Sequence, residues 1–256
     1  MNLFNLKEAF LLKLQFNLKA EASKHYLNYV WWILEPALFV TAFYFVFEVL
    51  MRRGGEGFLV FLLLGKVPFL WFSRSVSNAS SSILNGRGLI QQMAIPKSFF
   101  PILIVAQDLV KQTAVFVVLL AVVAGMGYAP SVTWLLLPVL IATQVLLITA
   151  CALLTAAIVP FVPDFRFVVS TGMTLLMFGS GIFYDYNTVL LERHKELFLM
   201  NPLARLIEGY RDALMRDAVP DMGGLIAIAM LSAVAIALLL SHYRRKDAVY
   251  ARLVIQ

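Results

Sequence analysis

The chain has 256 residues, of which 61% are hydrophobic and only 14% charged, with a mean hydropathy of +0.83. That is far too apolar for an ordinary water-soluble domain, so the composition identifies an integral membrane protein. The formal net charge of +6 is therefore a matter of membrane topology and not of nucleic-acid binding, because a soluble basic patch cannot coexist with so much apolar sequence.

Residues 3 to 25 set Lys7, Lys13, Lys19 and Lys24 against a seam of Leu3, Leu6, Phe10, Leu14 and Leu18 at three- and four-residue spacing. The pattern predicts an amphipathic helix within 1–29 that lies in a membrane interface, with a soluble helix packed on a partner as the alternative. Lys7 and Asn17 interrupt the seam, and Leu12 and Phe16 lie off it. The segment lacks the compact apolar core and small-residue cleavage site of a secretory signal, so no cleavage is expected.

Residues 30–256 are expected to form an all-α membrane domain of six spans. The first, about 30–50, is long enough at about 1.5 Å per residue to cross a roughly 30 Å hydrocarbon core, with Trp31 and Trp32 as interface anchors. The second, about 58–76, is expected to kink or unwind where Pro68 removes a backbone donor. Its end carries SRSVSNASSS, Ser73 to Ser82, whose small hydroxyls suit either close helix packing or a wet conduit.

The mixed stretch NGRGLIQQMAIPKSFFPI, Asn85 to Ile102, carries Arg87 and Lys97 but no acid. A short helix over 88–99 is expected there, lying across the mouth of the bundle, where a separate motor protein pushes. The third span, about 102–124, ends at a tight turn marked by Gly125, Gly127 and Pro130. The fourth, about 134–159, is closed by Pro160 and Pro163; the fifth and sixth run over about 167–183 and 224–243.

Between the last two spans, Tyr184 to Asp221 is too charged to cross a membrane but is patterned. Asn201 and Pro202 read as an N-cap with proline at the first helical position, followed by an apolar stripe of Leu203, Leu206, Ile207, Tyr210 and Leu214. With a preceding short helix from Thr188 to Met200, the pair within 188–216 is expected to dip into the outer leaflet as a gate, or to form a merely structural external hairpin. Lys and Arg gather in the N-terminal helix, the central stretch and the tail with Arg244, Arg245, Lys246 and Arg252. The positive-inside bias then puts both termini in the cytoplasm, with only Arg52 and Arg53 contrary.

No catalytic constellation is present. His25, His194 and His242 are scattered, no HExxH or P-loop motif occurs, and the Gly86–Gly88 pair follows a span and reads as a turn. Cys151, the one cysteine, allows no intramolecular disulfide and reads as a small core residue. Asp108 and Lys111, three residues apart, are expected to neutralise each other. Glu35 and Lys66 differ in depth, which argues against direct pairing. The aromatics Tyr44, Phe69, Trp71, Phe72, Phe178, Tyr184 and Tyr186 could each contact lipid; together with the hydroxyl-rich segment they suit stacking on sugar faces along a carbohydrate path.

Four segments, YVWWILEPAL at 29 to 38, LLLGKVPFLWFSRSVSN at 62 to 78, LNGRGLIQQMAIPKSFFPI at 84 to 102 and NPLARLIEGYRDALM at 201 to 215, stand in an order that resembles the ABC-2-type permeases exporting surface polysaccharides (O-antigen, capsule and teichoic acid exporters). The resemblance covers nearly the whole chain; Asn28 departs from it, where many relatives have glycine. It implies a permease, not an enzyme, in the bacterial inner membrane, forming a homodimer with two copies of a P-loop ABC ATPase that bind ATP and Mg. The substrate implied is a lipid-linked glycan, with periplasmic and outer-membrane export proteins as further candidate partners; this chain would hold no cofactor or metal. The ATPase-coupling residues would be Arg87, Leu89, Ile90, Met93, Pro96 and Lys97; the substrate path would comprise Trp31, Trp32 and the aromatics above. The outer gate would be built on Asn201, Pro202, Leu206, Tyr210 and Arg211. The rivals are an ABC-2 exporter of a drug or other small substrate, an ion-coupled carrier, which would need internal repeats and midplane acids, and a membrane-embedded transferase.

Overall fold

The computed structural model describes residues 3–24, 57–189 and 191–255, together with Leu34, Leu38, Thr41, Ala42, Phe45 and Val46. The described residues are helical, with no strand among them. In chain order the helices are α1 (Leu3–Lys24), α2 (Phe58–Ser80), α3 (Ser82–Asn85), α4 (Arg87–Gln92), α5 (Phe99–Gly125), α6 (Leu137–Ile158), α7 (Phe165–Gly179), α8 (Tyr186–Val189), α9 (Glu192–Leu199), α10 (Pro202–Leu214) and α11 (Met222–Ile255). A 3-10 turn, Val132–Leu136, leads into α6.

Four of these elements are long and apolar enough to cross a membrane: α2, α5, α6 with its 3-10 lead, and α11. The expected first span over 30–50, with Trp31, Trp32, Glu35 and Tyr44, falls outside the described residues apart from the isolated positions above. The expected fifth span differs. α7 has 15 residues, about 22 Å of helix at 1.5 Å per residue, too short for a straight crossing of a roughly 30 Å core. Beyond it the chain turns at Gly181, whose φ is +68°, into the α8–α10 hairpin. α2 runs unbroken through Pro68, contrary to the expected unwinding.

α6 is the hub, packed against α2, α5 and α11. Two of its hydroxyls are satisfied locally, since Thr149 and Thr155 donate to the carbonyls of Val145 and Cys151 four residues back, the cheapest solution for a polar side chain in an apolar helix. Gln144, 1% exposed, instead crosses the bundle. Its Nε2 donates to the Pro68 carbonyl at 2.8 Å and its Oε1 accepts from the Tyr210 hydroxyl at 2.8 Å, tying α2, α6 and α10 together.

The bundle has two distinct ends. α1, the 93–98 segment and the tail of α11 meet at one, the basic end: Phe10 packs edge-on against Phe99 at 5.5 Å, and Lys97 pairs with Asp247. The hairpin α8–α10, the 3-10 turn and the start of α2 meet at the other. α10 begins as its sequence predicts, with the Asn201 side chain accepting from the Leu203 amide at 3.0 Å and Pro202 in the first turn. The preceding helix, expected over Thr188 to Met200, is instead two short pieces, α8 and α9.

What seats α10 is Arg211, wholly buried. Its Nη1 donates to Glu208 Oε1 at 2.6 Å, and its Nη2 reaches the Phe61 and Ile182 carbonyls at 3.2 and 3.1 Å while the guanidinium lies 3.3 Å from the Phe61 ring centroid. Gly65 permits the approach: a Cβ there would lie 2.9 Å from Arg211 Nη2. Arg216 continues the network to Glu208 and Asp212 at 2.7 and 2.9 Å. Burial lowers the Arg211 pKa to about 10 against the opposing pull of Glu208, which still leaves a cation at neutral pH. Partial burial opposes the charge on Arg216, but hydrogen bonds to Glu208 and Asp212 outweigh it and raise its pKa.

Removing one member of a buried pair costs more than the pair contributes, because the remaining charge stays buried and uncompensated. Glu208→Gln is therefore expected to destabilise the purified protein by about 3–5 kcal/mol, whereas Asp212→Asn, at the half-exposed edge of the network, costs under about 1 kcal/mol. Equal unfolding midpoints for the two variants would contradict this assignment.

Candidate functional site

The basic end presents a ledge formed by α4 and the segment that follows it. Gly86 sits between α3 and α4 because a Cβ there would run into the Phe100 ring. α4 ends at Gln92, and Met93 is extended with φ −141° and ψ 140°. The expected single helix over 88–99 is thus a short helix, Arg87–Gln92, and an extended strap that turns into α5 at Phe99. Pro96 accounts for the break, since it lacks an amide hydrogen and biases the preceding residue toward extended backbone.

The ledge has an inward and an outward face. Ile90 and Ile95 are buried in a cluster with Ile83, Phe99, Phe100, Leu103, Leu153 and Tyr250. Lys97 is buried too: its Nζ donates to Asp247 Oδ2 at 3.0 Å and to the Ile95 carbonyl at 3.0 Å, and its amide donates to Asp247 Oδ1 at 2.9 Å. Of the six expected contact residues, Ile90 and Lys97 pack into the chain's own core and anchor the ledge to it. Arg87, Met93 and Pro96 are exposed, and Leu89 is partly so.

The far side of that anchor is α11. Tyr243 donates to the Leu153 carbonyl at 2.9 Å and Tyr250 to the Ala157 carbonyl at 3.2 Å, with the two rings stacked at 5.2 Å. These bonds hold the last turns of α11 against the end of α6, and so place Asp247 for Lys97. No local pattern announced Asp247, which stands 150 residues from its partner.

The expected substrate-path aromatics separate into two groups. Phe69, Trp71 and Phe72 are buried in the core of the chain, Trp71 edge-on to Phe116 at 6.0 Å. The cause of that burial is that α2 is enclosed on most of its circumference by α5, α6, α7 and α10. Phe178, Tyr184 and Tyr186 lie instead at the hairpin end, where Phe178 sits 5.7 Å from Phe183 and Tyr186 stacks on Phe198 at 5.2 Å. Phe183 and Phe198 were missed by the sequence reading, although Phe198 stands in an amphipathic helix beside the predicted gate. Of the gate residues, Asn201 caps α10, while Leu206, Tyr210 and Arg211 point inward and hold the helix down.

Both readings of the hydroxyl-rich segment have a counterpart. Ser75, Ser80 and Ser82 are buried against neighbouring helices. Ser77, Asn78, Ser81 and Asn85 face Gln107, Asp108 and Lys111 across a polar hollow of about 400 Å³, with Ile104 as its one apolar neighbour. Lys111 stands 3.4 Å from Asp108, the mutual neutralisation their spacing predicts. Lys66, buried within α2, directs its Nζ to the Met177 sulfur at 3.1 Å. Among the described residues no three His, Cys, Asp or Glu side chains gather as metal ligands.

The O-antigen export system permease protein RfbA of Myxococcus xanthus is 30% identical over 86% of this chain and 85% of its own length. The permease protein RfbA of Klebsiella pneumoniae is 26% identical over 79% of this chain and 78% of its own, and the polysialic acid transport protein KpsM of Escherichia coli is 28% identical over 90% of each. The sequence profile of the ABC-2 type transporter matches residues 9–215, a stretch running from the N-terminal helix through the α10 lock, and the chain belongs to that family.

Proposed function

We propose that this chain is the membrane-spanning subunit of an ATP-driven exporter that carries a lipid-linked polysaccharide of the O-antigen or capsule kind across the bacterial inner membrane. The names of its relatives support that substrate class. The observation that carries the mechanism is the ledge, which is open to a partner on one face and anchored on the other by Ile90, Ile95 and the Lys97–Asp247 pair. A push on Met93 or Pro96 is delivered through that anchor into the first turn of α5 and the tail of α11, two stiff helices that run the depth of the bundle.

In this reading the basic end faces the cytoplasm, as the positive-inside bias requires. Two copies of an ABC ATPase bind ATP and Mg and dock on Arg87, Leu89, Met93 and Pro96. Two copies of the chain pair to enclose a path. Phe178, Tyr184 and Tyr186, with Phe183 and Phe198, offer ring faces to the sugars at the exit, since stacking tolerates sliding. The α8–α10 hairpin closes that exit, and periplasmic and outer-membrane proteins receive the glycan beyond it. An ABC-2 exporter of a small substrate shares this fold, and the aromatic cluster at the exit favours the glycan.

Deleting the gene is expected to abolish the cell-surface glycan and leave the lipid-linked precursor inside; unchanged surface glycan on labelled cells would sink the proposal. The coupling role is tested with Arg87→Glu/Met93→Asp, both exposed positions. Export should fall by roughly tenfold or more while the chain still assembles in the membrane, and ATPase activity should lose its dependence on substrate. Full export by that variant would remove the ledge from the mechanism.

A further inference from the structure

Beside the ledge, and sharing Pro96 with it, the basic end holds a second feature. α1, the strap, the start of α5 and the end of the apolar part of α11 enclose a hollow of about 620 Å³, lined by Phe10, Leu11, Pro96, Ser98, Phe99, Ile102 and Leu240, with Lys7 and Arg244 as its only ionisable residues. The volume is that of a small-molecule site, but the layout is that of an amphiphile. Leu240 lies one turn deeper along α11 than Arg244, and Ile102 one turn deeper along α5 than Phe99, so the apolar lining runs toward the bundle while the cations stand at the mouth.

Lys7 and Arg244 are both exposed, on helices brought together only by the fold, and no ion pair among the described residues engages either. The nearby acid Asp247 is taken by Lys97, and Glu8, next to Lys7 on α1, does not line the hollow. Two free cations over an apolar slot at a membrane boundary match one phosphate diester headgroup with its acyl chain below. Charge complementarity favours a net-anionic headgroup over a zwitterionic one, whose ammonium is repelled by the same two cations, and over a neutral lipid, which offers them no counter-charge.

We infer that this hollow is a binding site for an anionic phospholipid of the bilayer, with the phosphate between Lys7 and Arg244 and an acyl chain along Phe10, Leu11, Phe99, Ile102 and Leu240. The bound lipid fixes α1 to the strap and α11, and thereby sets the height of the ledge at the membrane surface. The site depends on membrane location alone and not on which substrate is exported.

The test uses the full-length chain reconstituted in phosphatidylcholine vesicles with or without phosphatidylglycerol, extracted gently, and analysed by native mass spectrometry for retained lipid. Each basic side chain near an anionic headgroup contributes roughly a fivefold preference, so retention of phosphatidylglycerol over phosphatidylcholine should be on the order of thirtyfold. Lys7→Gln/Arg244→Gln should bring that ratio close to one. Leu11→Trp, which keeps both cations but fills the slot, should also lose the lipid, whereas Lys13→Gln/Arg252→Gln, exposed cations away from the hollow, should keep it. Thermal melting by circular dichroism checks that each variant is folded. Absence of preference in the unaltered chain would overturn the site, as would equal loss in the Lys13/Arg252 control, which would mean a diffuse charged surface. Complete release of the lipid on assembly with the ATPase would make the hollow a protein-docking surface and would overturn it as well.

Discussion

A cation with no exposed surface, Arg211, holds the hairpin end of the molecule together. Burying a guanidinium in an apolar bundle is costly unless its charge is met, and here Glu208, the Phe61 and Ile182 carbonyls and the Phe61 ring meet the charge and the two Nη groups, while Nε stays without a hydrogen-bond partner among the described residues. The geometry is demanding, which is why Gly65 lies opposite. A residue so placed seats α10 in one position on α2 and turns an otherwise loose amphipathic hairpin into a body with a definite rest state. The gate role proposed for the hairpin draws on that property, since an element without a preferred closed position has nothing to be opened from.

The opposite end uses the same physics for a different purpose. The Lys97–Asp247 pair joins the strap to α11, and the Tyr243 and Tyr250 hydroxyls join α11 to α6. α5 starts two residues after Lys97, and α11 continues from Asp247 back through the bundle to Asp221, which pairs with Arg205 on α10. The two ends are therefore connected by continuous helices, and a displacement at the strap has a stiff route toward the hairpin. The coupling proposed above draws on rigid elements linking two locked ends, because force applied to a soft surface would dissipate in local rearrangement.

Polar groups inside the bundle follow a simple rule. Thr149 and Thr155 on α6 return to their own backbone, Gln144 serves two partners on two other helices, and Ser77, Asn78, Ser81, Asn85, Gln107, Asp108 and Lys111 gather around one hollow near the basic end. Scattered polar atoms would each carry a desolvation cost; grouping them allows water to share it. The aromatic rings follow no comparable rule, since a buried ring and a lipid-facing ring are equally at ease in an apolar medium.

That last difference separates what was legible in the sequence from what was not. Helix type, the approximate limits of α2, α5 and α6, the start of α11, the Asn201 cap, the Asp108–Lys111 pair and the Phe10–Leu14 seam of α1 all follow from local spacing, because each depends on residues within one or two turns; α11 runs on to Ile255, past the expected end at 243. The strap in place of a longer helix was also readable at Pro96, had its effect on the preceding residue been weighed. The facing of Phe69, Trp71, Phe72, Ile90 and Lys97 was decided by tertiary structure alone. On a helix apolar around its whole circumference, periodicity carries no signal for which side meets protein and which meets lipid. For Lys97 the partner lies 150 residues away, and only the packing of α11 on α6 brings that carboxylate within reach.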